Sequence, residues 1–325
     1  MTLKIGIVMD AIHYINIKKD SSFAILLEIQ RRKHIIYYME MNDLYLKNGR
    51  PYARTRLIEL KNDLKNWYIF KNEKNLSLNT LDVILMRKDP PFNMEFIYST
   101  YILELAEKTG VLVINKPQSL RDCNEKIFIS WFPNLTPKTL VTRNIVQIQK
   151  FWKKYKDIII KPLDGMGGKS IFRIKRQDNN FLSIVESMTN YEKKYCMVQT
   201  YLKKITDGDK RILIINGTPV PWCLARIPLK GETRANLASG GIGQVKKLNQ
   251  SDWKIANYVS PILKDKGLIF VGIDVIGNKL TEINVTSPTC ICEIELEKKI
   301  SISSMLIDYI EENHLIKKHN DNNRI

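Results

Sequence analysis

Apolar residues fall into two alternating rhythms over the first third of the chain. Lys4–Met9 is a short β-rich run, and Ser21–Arg32 places its apolar residues at helical spacing behind an Asp20-Ser21 cap signal. Ile35–Met39 and Leu81–Met86 read as further strands. A helical pattern over Met94–Lys108 stops at Gly110, and a strand follows through Val111–Asn115. Strand and helix in alternation predict an α/β domain built on a doubly wound parallel sheet. Ligands of such sheets sit beyond the carboxyl ends of the strands. Arg87, in Arg87-Lys88-Asp89-Pro90-Pro91, occupies such an end, either as a ligand for a substrate carboxylate or as a surface arginine at a turn. The G-x-G-x-x-G of a dinucleotide binder is absent; only Gly6 is there, inside the first strand.

From about Asn124 the rhythm changes. A helix closing at Phe151–Tyr155 precedes a strand at Asp157–Lys161, a glycine-rich loop and a second strand at Ser170–Ile174. Tyr195–Thr200 is another strand, leading into Tyr201-Leu202. Arg211–Ile215 and Val220–Arg226 form a hairpin around a tight Asn216-Gly217 turn. Pro228–Val245 holds Gly231, Gly240, Gly241 and Gly243, and reads as a lid or as an ordinary exposed loop. Ser251–Asp265 is expected to be a helix capped by Ser251 and stopped at Gly267. An acidic hairpin follows, then a closing helix at Ser301–His314 and a polar tail that is expected to fray.

The chain's 325 residues suffice for two or three domains with hydrophobic cores. With 44% apolar and 26% charged residues, the composition is globular rather than disordered. No apolar run approaches the ~20 residues of a membrane span, and Met1–Asp10 resembles a buried strand rather than a secretory leader. A cytoplasmic protein without membrane attachment is therefore expected. The cysteines are odd in number and scattered, which argues against a disulfide framework. Cys290-Ile291-Cys292 lacks the C-x₂-C spacing of zinc sites, and the histidines form no ligand pair. The net charge of +17 raises the question of nucleic acid. However, the lysines are dispersed in pairs and the longest basic run is Arg31-Arg32-Lys33. A solvated basic surface and anionic small substrates account for the charge, so no nucleic-acid partner is expected.

Two distant segments carry the chemistry. Ile160-Lys161-Pro162-Leu163-Asp164-Gly165-Met166-Gly167-Gly168 offers a lysine and a run of bare backbone N–H groups, which triphosphate oxygens need. Gly168-Lys169-Ser170 imitates the end of a P-loop, but that motif's first glycine would fall at Leu163 and a β-run follows instead of a helix. What remains is a flap between antiparallel strands, whose glycines let the backbone approach phosphates. Taken alone, it is equally a generic glycine-rich hairpin. The second segment offers Asp274, Glu282 and Asn284, three hard oxygen donors suited to Mg²⁺ bridging phosphates. Glu282 and Asn284, two apart on one strand, share a face. A two-residue loop at Gly277-Asn278 would pair Asp274 with Thr281 and turn Glu282 away. A three-residue loop, Gly277-Asn278-Lys279, would pair Asp274 with Glu282. A metal site therefore predicts the longer loop, with Asn278 or Lys279 left-handed.

In these strings the chain resembles the bacterial-type glutathione synthetases of the ATP-grasp superfamily. The resemblance is carried by Arg87–Phe92, Asn115-Lys116-Pro117, Asp122-Cys123-Asn124-Glu125-Lys126, Lys161–Gly168, Asp207–Arg211, Ala225–Pro228 and Glu282–Cys290, and covers nearly the whole chain. It implies a substrate-binding α/β domain over 1–123 and an ATP-grasp domain over 124–316. Two α+β subdomains of the latter, 124–200 and 201–316, would clasp Mg-ATP, with a lid over 228–245 and a tail over 317–325. The implied reaction joins γ-glutamylcysteine to glycine through an acyl phosphate, with release of ADP and phosphate. Lys126, Lys161 and the Gly165, Met166, Gly167, Gly168 flap would hold the nucleotide phosphates. Gln199, Thr200, Tyr201 and Leu202 would meet the adenine, and Asp209 the ribose. Two Mg²⁺ (or Mn²⁺) ions would rest on Asp274, Glu282 and Asn284. Arg211, Arg226 and Arg234 would stabilise the acyl phosphate and oxyanion, while Arg87, Arg226, Arg234, Ser287 and Thr289 would hold substrate. A homo-oligomer is also implied.

Two positions depart from the resembled pattern. Cys292 stands where the family commonly has arginine, after Thr289-Cys290-Ile291, and Ile242 stands where its lid often has another. Either loss bears on carboxylate binding rather than on ATP. A different ATP-grasp carboxylate–amine ligase would keep the ATP residues but vary Arg87, the lid and the segment after Asn284.

Overall fold

The computed structural model describes residues 2–61, 63–232, 234–237 and 240–322. Thr233, Ala238 and Ser239 of the expected lid, and 323–325 of the expected tail, lie outside the described residues. The first sheet grows from β1 (Lys4–Met9), which pairs in parallel with β2 (Ile35–Met39). Between them, α1 (Ser21–Arg31) begins where the Asp20 carboxylate accepts the Phe23 N–H at 2.7 Å, the cap signalled by the sequence. β3 (Leu44–Lys47), β4 (Arg50–Leu60) and β5 (Tyr68–Ser77) add an antiparallel meander to the β2 edge. The apolar pattern gave no sign of this meander. Just before β3, the buried Asp43 accepts Arg54 Nε at 2.7 Å and Arg56 Nη2 at 2.8 Å from β4.

β6 (Val83–Arg87) and β7 (Leu112–Ile114) complete the parallel part, ordered β2-β1-β6-β7. α2 (Met94–Glu107) connects them and α3 (Pro117–Asp122) leads away. A Cβ on Gly6 would come within 2.7 Å of the Met39 methyl and 2.8 Å of Leu81. That glycine therefore serves close packing within the first sheet.

A second sheet, ordered β10-β9-β11-β8, is antiparallel throughout. It comprises β8 (Thr139–Thr142), β9 (Ile158–Pro162), β10 (Phe172–Ile174) and β11 (Cys196–Thr200), covered on one face by α4 (Ile145–Tyr155) and α5 (Phe181–Thr189). Ile158 and Ile160 point into a core that this unit keeps to itself, with Ile148, Val185 and Val198. The alternate residues Ile159 and Lys161 face the other way.

The third sheet, ordered β14-β13-β12-β15-β16, contains β12 (Asp209–Ile215), β13 (Thr218–Ile227), β14 (Ile242–Lys247), β15 (Phe270–Ile276) and β16 (Lys279–Asn284). The Asn216-Gly217 turn has positive φ at both residues, as a two-residue hairpin of this hand requires. Residues 242–245, read as part of the lid, are strand β14, paired with β13. α6 (Gln250–Asp265) is capped by Asn249 rather than by Ser251. Asn249 Oδ1 accepts the Asp252 N–H at 3.0 Å, and the Asp252 carboxylate returns the bond. α7 (Ile291–Lys298) and α8 (Ile302–Asn322) close the chain. Where fraying was expected from residue 317, α8 runs on to Asn322, and the Lys317 ammonium donates to the Gly110 carbonyl.

Two hydrophobic cores run continuously from the first sheet into the third. One joins Val8, Phe96 and Leu103 to Ile212, Val271 and Ile283; the other joins Ile5, Ile25 and Leu26 to Leu213, Ile291 and Ile307. No helix among the described residues is long and apolar enough to cross a membrane.

Candidate active site

A cleft separates the second sheet from the third, with the flap at Gly165–Gly168 over one side and the end of the first sheet at the other. Its acidic wall depends on strand register. Ile276 pairs with Lys279, so the turn is the two-residue Gly277-Asn278, with Gly277 left-handed at φ 61°. The longer loop predicted from the sequence is absent, as is a left-handed Asn278 or Lys279. Asp274 nevertheless pairs with Glu282, because the register slips by one residue between Val275 and Asp274. Thr281 and Glu282 thus share one partner in a β-bulge, and both face the cleft. The Thr281 hydroxyl donates to the Asp274 carbonyl at 3.1 Å.

Cross-strand pairing sets the partners of Asp274. Arg211 lies opposite it on β12 and donates from Nε at 2.5 Å and from Nη2 at 3.0 Å. Arg226, opposite Asp209 on β13, places Nη2 2.6 Å from Asp209 Oδ2 and 2.9 Å from Asp274 Oδ2. Burial alone would raise the Asp274 carboxyl, but the two guanidiniums hold it well below the usual carboxylate range. Burial pushes Asp209 upward against the pull of Arg226, with Asp274 and Glu282 adding to the rise. Asp209 Oδ1 is buried and accepts no hydrogen bond.

Glu282 faces two lysines. Its Oε1 is 3.4 Å from Lys126 Nζ and 3.7 Å from Lys161 Nζ. Burial would raise its carboxyl, yet the two ammoniums bring it below the ordinary value. Burial also draws the Lys161 ammonium below its normal range, against the attraction of Glu282. Lys126 donates to the Gly165 carbonyl at 2.6 Å, tying it to the flap, and Lys161 donates to the Thr281 carbonyl at 3.2 Å. Asn284 Nδ2 donates to the Gly272 carbonyl at 3.1 Å, which leaves its amide oxygen as the atom that could meet a cation. Among the described residues no three His, Cys, Asp or Glu side chains could hold a metal by themselves. Two carboxylates and one amide oxygen fit a divalent cation that takes its other ligands from phosphates.

Gln199, Thr200, Tyr201 and Leu202 line the opposite side of the cleft, with Gln199 Nε2 donating to Thr139 Oγ1 at 3.0 Å. The flap residues Gly165, Met166, Gly167 and Gly168 also line it, as do Asp209, Arg211, Arg226, Ser287 and Thr289. Arg234 reaches it from the expected lid and pairs with Glu232 at 2.7 Å. Arg87 is not among the walls. It is buried, donating from Nε to Ser22 Oγ at 3.0 Å and from Nη2 to the Pro288 carbonyl at 2.8 Å, with Nη1 unpartnered. The surface-arginine alternative therefore falls.

Sequence reasoning missed several groups here. Glu125 lines the cleft and accepts Val285 N, Thr286 N and Thr286 Oγ1 at 3.0, 3.1 and 2.8 Å. Only its place beside Lys126 could have marked it. Lys19, Asp89 and Glu293 also line the cleft, gathered from segments that no spacing connects. The two departures fall outside it. Cys292 donates to the Asp20 carbonyl at 3.3 Å, its thiol pushed up to about 12 by burial. Ile242 is exposed at the start of β14.

Residues 3–121 match the family described as prokaryotic glutathione synthetase, N-terminal domain, and residues 125–299 match its ATP-grasp domain. The chain belongs to the prokaryotic glutathione synthetase family. The glutathione synthetase of Buchnera aphidicola subsp. Acyrthosiphon pisum is 71% identical over 311 residues, covering 96% of this chain and 97% of that one. That of Escherichia coli K12 is 62% identical over 309 residues, covering 95% and 98%. Among solved structures, D-cycloserine synthetase DcsG aligns with a TM-score of 0.65 at 12% identity, covering 97% of this chain and 99% of that one. The ATP-grasp ligase PsnB, solved with Mg and ADP, aligns with a TM-score of 0.64 at 14% identity, covering 96% and 99%. At such identities these two show the fold alone. As a member of the glutathione synthetase family, the chain is an ATP-dependent ligase acting on small molecules, and ATP-grasp ligases use divalent metals.

Proposed function

We propose that this enzyme joins γ-L-glutamyl-L-cysteine to glycine, with residues 1–123 shaping the peptide site and 124–316 holding ATP. The observation that carries the residue roles is the meeting of Lys126, Lys161, Glu282, Asp274, Arg211 and Arg226 in one cleft. Adenine lies against Gln199–Leu202 and ribose against Asp209. Lys126, Lys161 and the flap N–H groups hold the phosphates. Two Mg²⁺ or Mn²⁺ ions, when held by Asp274, Glu282 and Asn284, neutralise charge on the transferring phosphoryl group.

The cysteinyl carboxylate oxygen bonds to the γ-phosphorus as the bond to the ADP oxygen breaks, giving an acyl phosphate. The neutral glycine amine then attacks the acyl carbon, the tetrahedral intermediate expels phosphate, and the amine loses its proton. Arg211 and Arg226, fixed by Asp274, stand where negative charge grows. Arg234 and the 228–245 segment close over the acyl phosphate, which water would otherwise hydrolyse. Ser287 and Thr289 meet the peptide, while Arg87 shapes that site from behind. We place the enzyme in the cytoplasm as a homo-oligomer without nucleic-acid or membrane partners.

The test is ADP release with Mg-ATP, γ-glutamylcysteine and glycine, each omitted in turn. Release that needs all three, with glutathione as product, is the expected result. Release indifferent to glycine would mean that the acyl phosphate forms and leaks. No release would overturn the proposal.

A further inference from the structure

β16, the strand that carries Glu282 and Asn284, is the last of the third sheet, and on its outer edge Glu125 takes the place of a further strand. The Glu125 carbonyl accepts the Ile283 N–H at 2.9 Å. Its side-chain Oε1 accepts Val285 N at 3.0 Å, Thr286 N at 3.1 Å and Thr286 Oγ1 at 2.8 Å. The residues on either side of Asn284 therefore hang on one glutamate. Asn284 itself is tied the other way, its Nδ2 donating to the Gly272 carbonyl on β15 at 3.1 Å. With the backbone and the amide nitrogen both held, the direction of the amide oxygen is set. The neighbours of Glu125 reach other walls of the cleft. Asn124 Nδ2 donates to the Leu163 carbonyl at 3.1 Å, just before the flap, and Lys126 donates to the Gly165 carbonyl within it. Burial raises the Glu125 carboxyl, with Lys126 pulling the other way.

The inference rests on the proposed metal ligands. We infer that Glu125 is a positioning residue for the divalent cation, acting through Asn284 rather than on the reacting atoms. A cation that takes most of its ligands from phosphates makes few bonds to protein, so the aim of each protein oxygen weighs heavily on its affinity. What the role requires of Glu125 is reach, not charge. An aspartate keeps the charge but withdraws it by one methylene from Val285 and Thr286. A glutamine loses the charge but presents an oxygen at the same length to the same donors.

The test titrates Mn²⁺ into the enzyme with ADP, following loss of the free-Mn²⁺ paramagnetic resonance signal, for wild type, Glu125→Asp and Glu125→Gln. ADP affinity in chelator is measured beside it by calorimetry. Glu125→Asp should weaken Mn²⁺ binding by roughly 10- to 100-fold and leave metal-free ADP binding unchanged, since Lys126 and Lys161 remain. Glu125→Gln should stay within about fivefold of wild type, the difference between a charged and a neutral acceptor. Unchanged Mn²⁺ affinity in Glu125→Asp overturns the inference. So does Glu125→Gln losing as much as Glu125→Asp, because charge rather than reach would then be the requirement. Equal loss of Mn²⁺ and metal-free ADP binding in Glu125→Asp would mean general disruption, and overturns it too. Should Glu125→Asp fail to fold, Thr286→Val, which removes one of the three donors, still carries the test. It should weaken Mn²⁺ binding by about threefold at an unchanged thermal midpoint, and no change overturns the inference. Wild type that binds no Mn²⁺ with ADP removes the proposed metal ligands and this inference together; wild type that binds it while Glu125→Asp is indifferent removes only the latter.

Discussion

Asp274 and Glu282 stand opposite each other across one strand pair, yet they are held by different cations. Asp274 lies between Arg211 and Arg226, and Glu282 between Lys126 and Lys161. The guanidiniums stay charged at any pH the protein meets, while the proposed function has the lysines turn to the nucleotide's phosphates. Asp274 is thus part of the framework, and Glu282 is the adjustable member.

Glu282→Gln should accordingly change the response to metal in sign. Without its carboxylate the two lysines attract bare ATP more strongly, by about tenfold. Turnover with Mg²⁺ should fall by ~10²-fold or more. Calorimetric titration of ATP in chelator, beside ADP release in Mg²⁺, reads both effects. Weaker metal-free binding would refute this account of Glu282.

Arg226→Ala removes a guanidinium shared by two buried carboxylates. The expected loss is ~10²–10³-fold in kcat, together with about 3–5 kcal/mol of stability from the carboxylates left uncompensated. Arg226→Lys keeps the charge and should recover most of the stability but little of the rate. Urea midpoints and kcat that recovered together would show that the role is structural only.

Glu28, at the α1–α8 contact, supplies a pH dependence. Its carboxylate accepts Arg31 at 2.7 Å and Arg32 at 2.8 Å, and those bonds hold it at about 2 against burial and against an ordinary 4.5. Because the folded value is the lower one, the stabilisation is complete above pH 4.5 and drains away as pH falls toward 2. It should amount to roughly 1–2 kcal/mol once the exposure of Arg31 is allowed for. Urea unfolding should find Glu28→Gln weaker than wild type at pH 7, with the gap narrowing steadily below pH 4.5 and closing only near pH 2. A constant gap would count against the ion pairs.

Lys230 and Arg234 lie within the stretch read as a lid, which makes trypsin a reporter of closure. ATP with γ-glutamylcysteine should slow cleavage there severalfold, and ATP alone should slow it less. Equal cleavage in all three states would leave the 228–245 segment no closing role.

The sequence announced those elements whose signals are local. Asp20 caps α1, Asn216-Gly217 turns its hairpin, and Lys4–Met9 and Ile35–Met39 are strands residue for residue. Strands β3–β5 escaped because the buried places at the start of β4 are held by Pro51, Ala53 and Thr55, and β5 is mostly polar, so no large apolar alternation marks a strand. β14 escaped because Ile242-Gly243-Gln244 follows two glycines and reads as loop. The Asp274–Glu282 pairing was foreseen for the wrong reason. A bulge at Thr281 supplies the offset that had been assigned to a longer turn, and a bulge leaves no mark on short-range sequence. Glu293 and Lys19 come to line one cleft only through tertiary structure, beyond the reach of any motif.

Asn115, just beyond β7, is a single side chain with three bonds across the fold. It donates to the Phe270 and Val285 carbonyls at 2.8 and 2.7 Å and accepts the Phe270 N–H at 2.8 Å. The acidic hairpin is thereby stapled at both ends to the first sheet, and the shared cores weld what remains. Only the second sheet keeps a core of its own. On the proposed function, peptide pocket and metal ligands would behave as one anvil, with the nucleotide's far wall as the hammer. Affinity for one substrate should then depend on occupancy by the other without any atom touching both, because each would be gripped across the same gap.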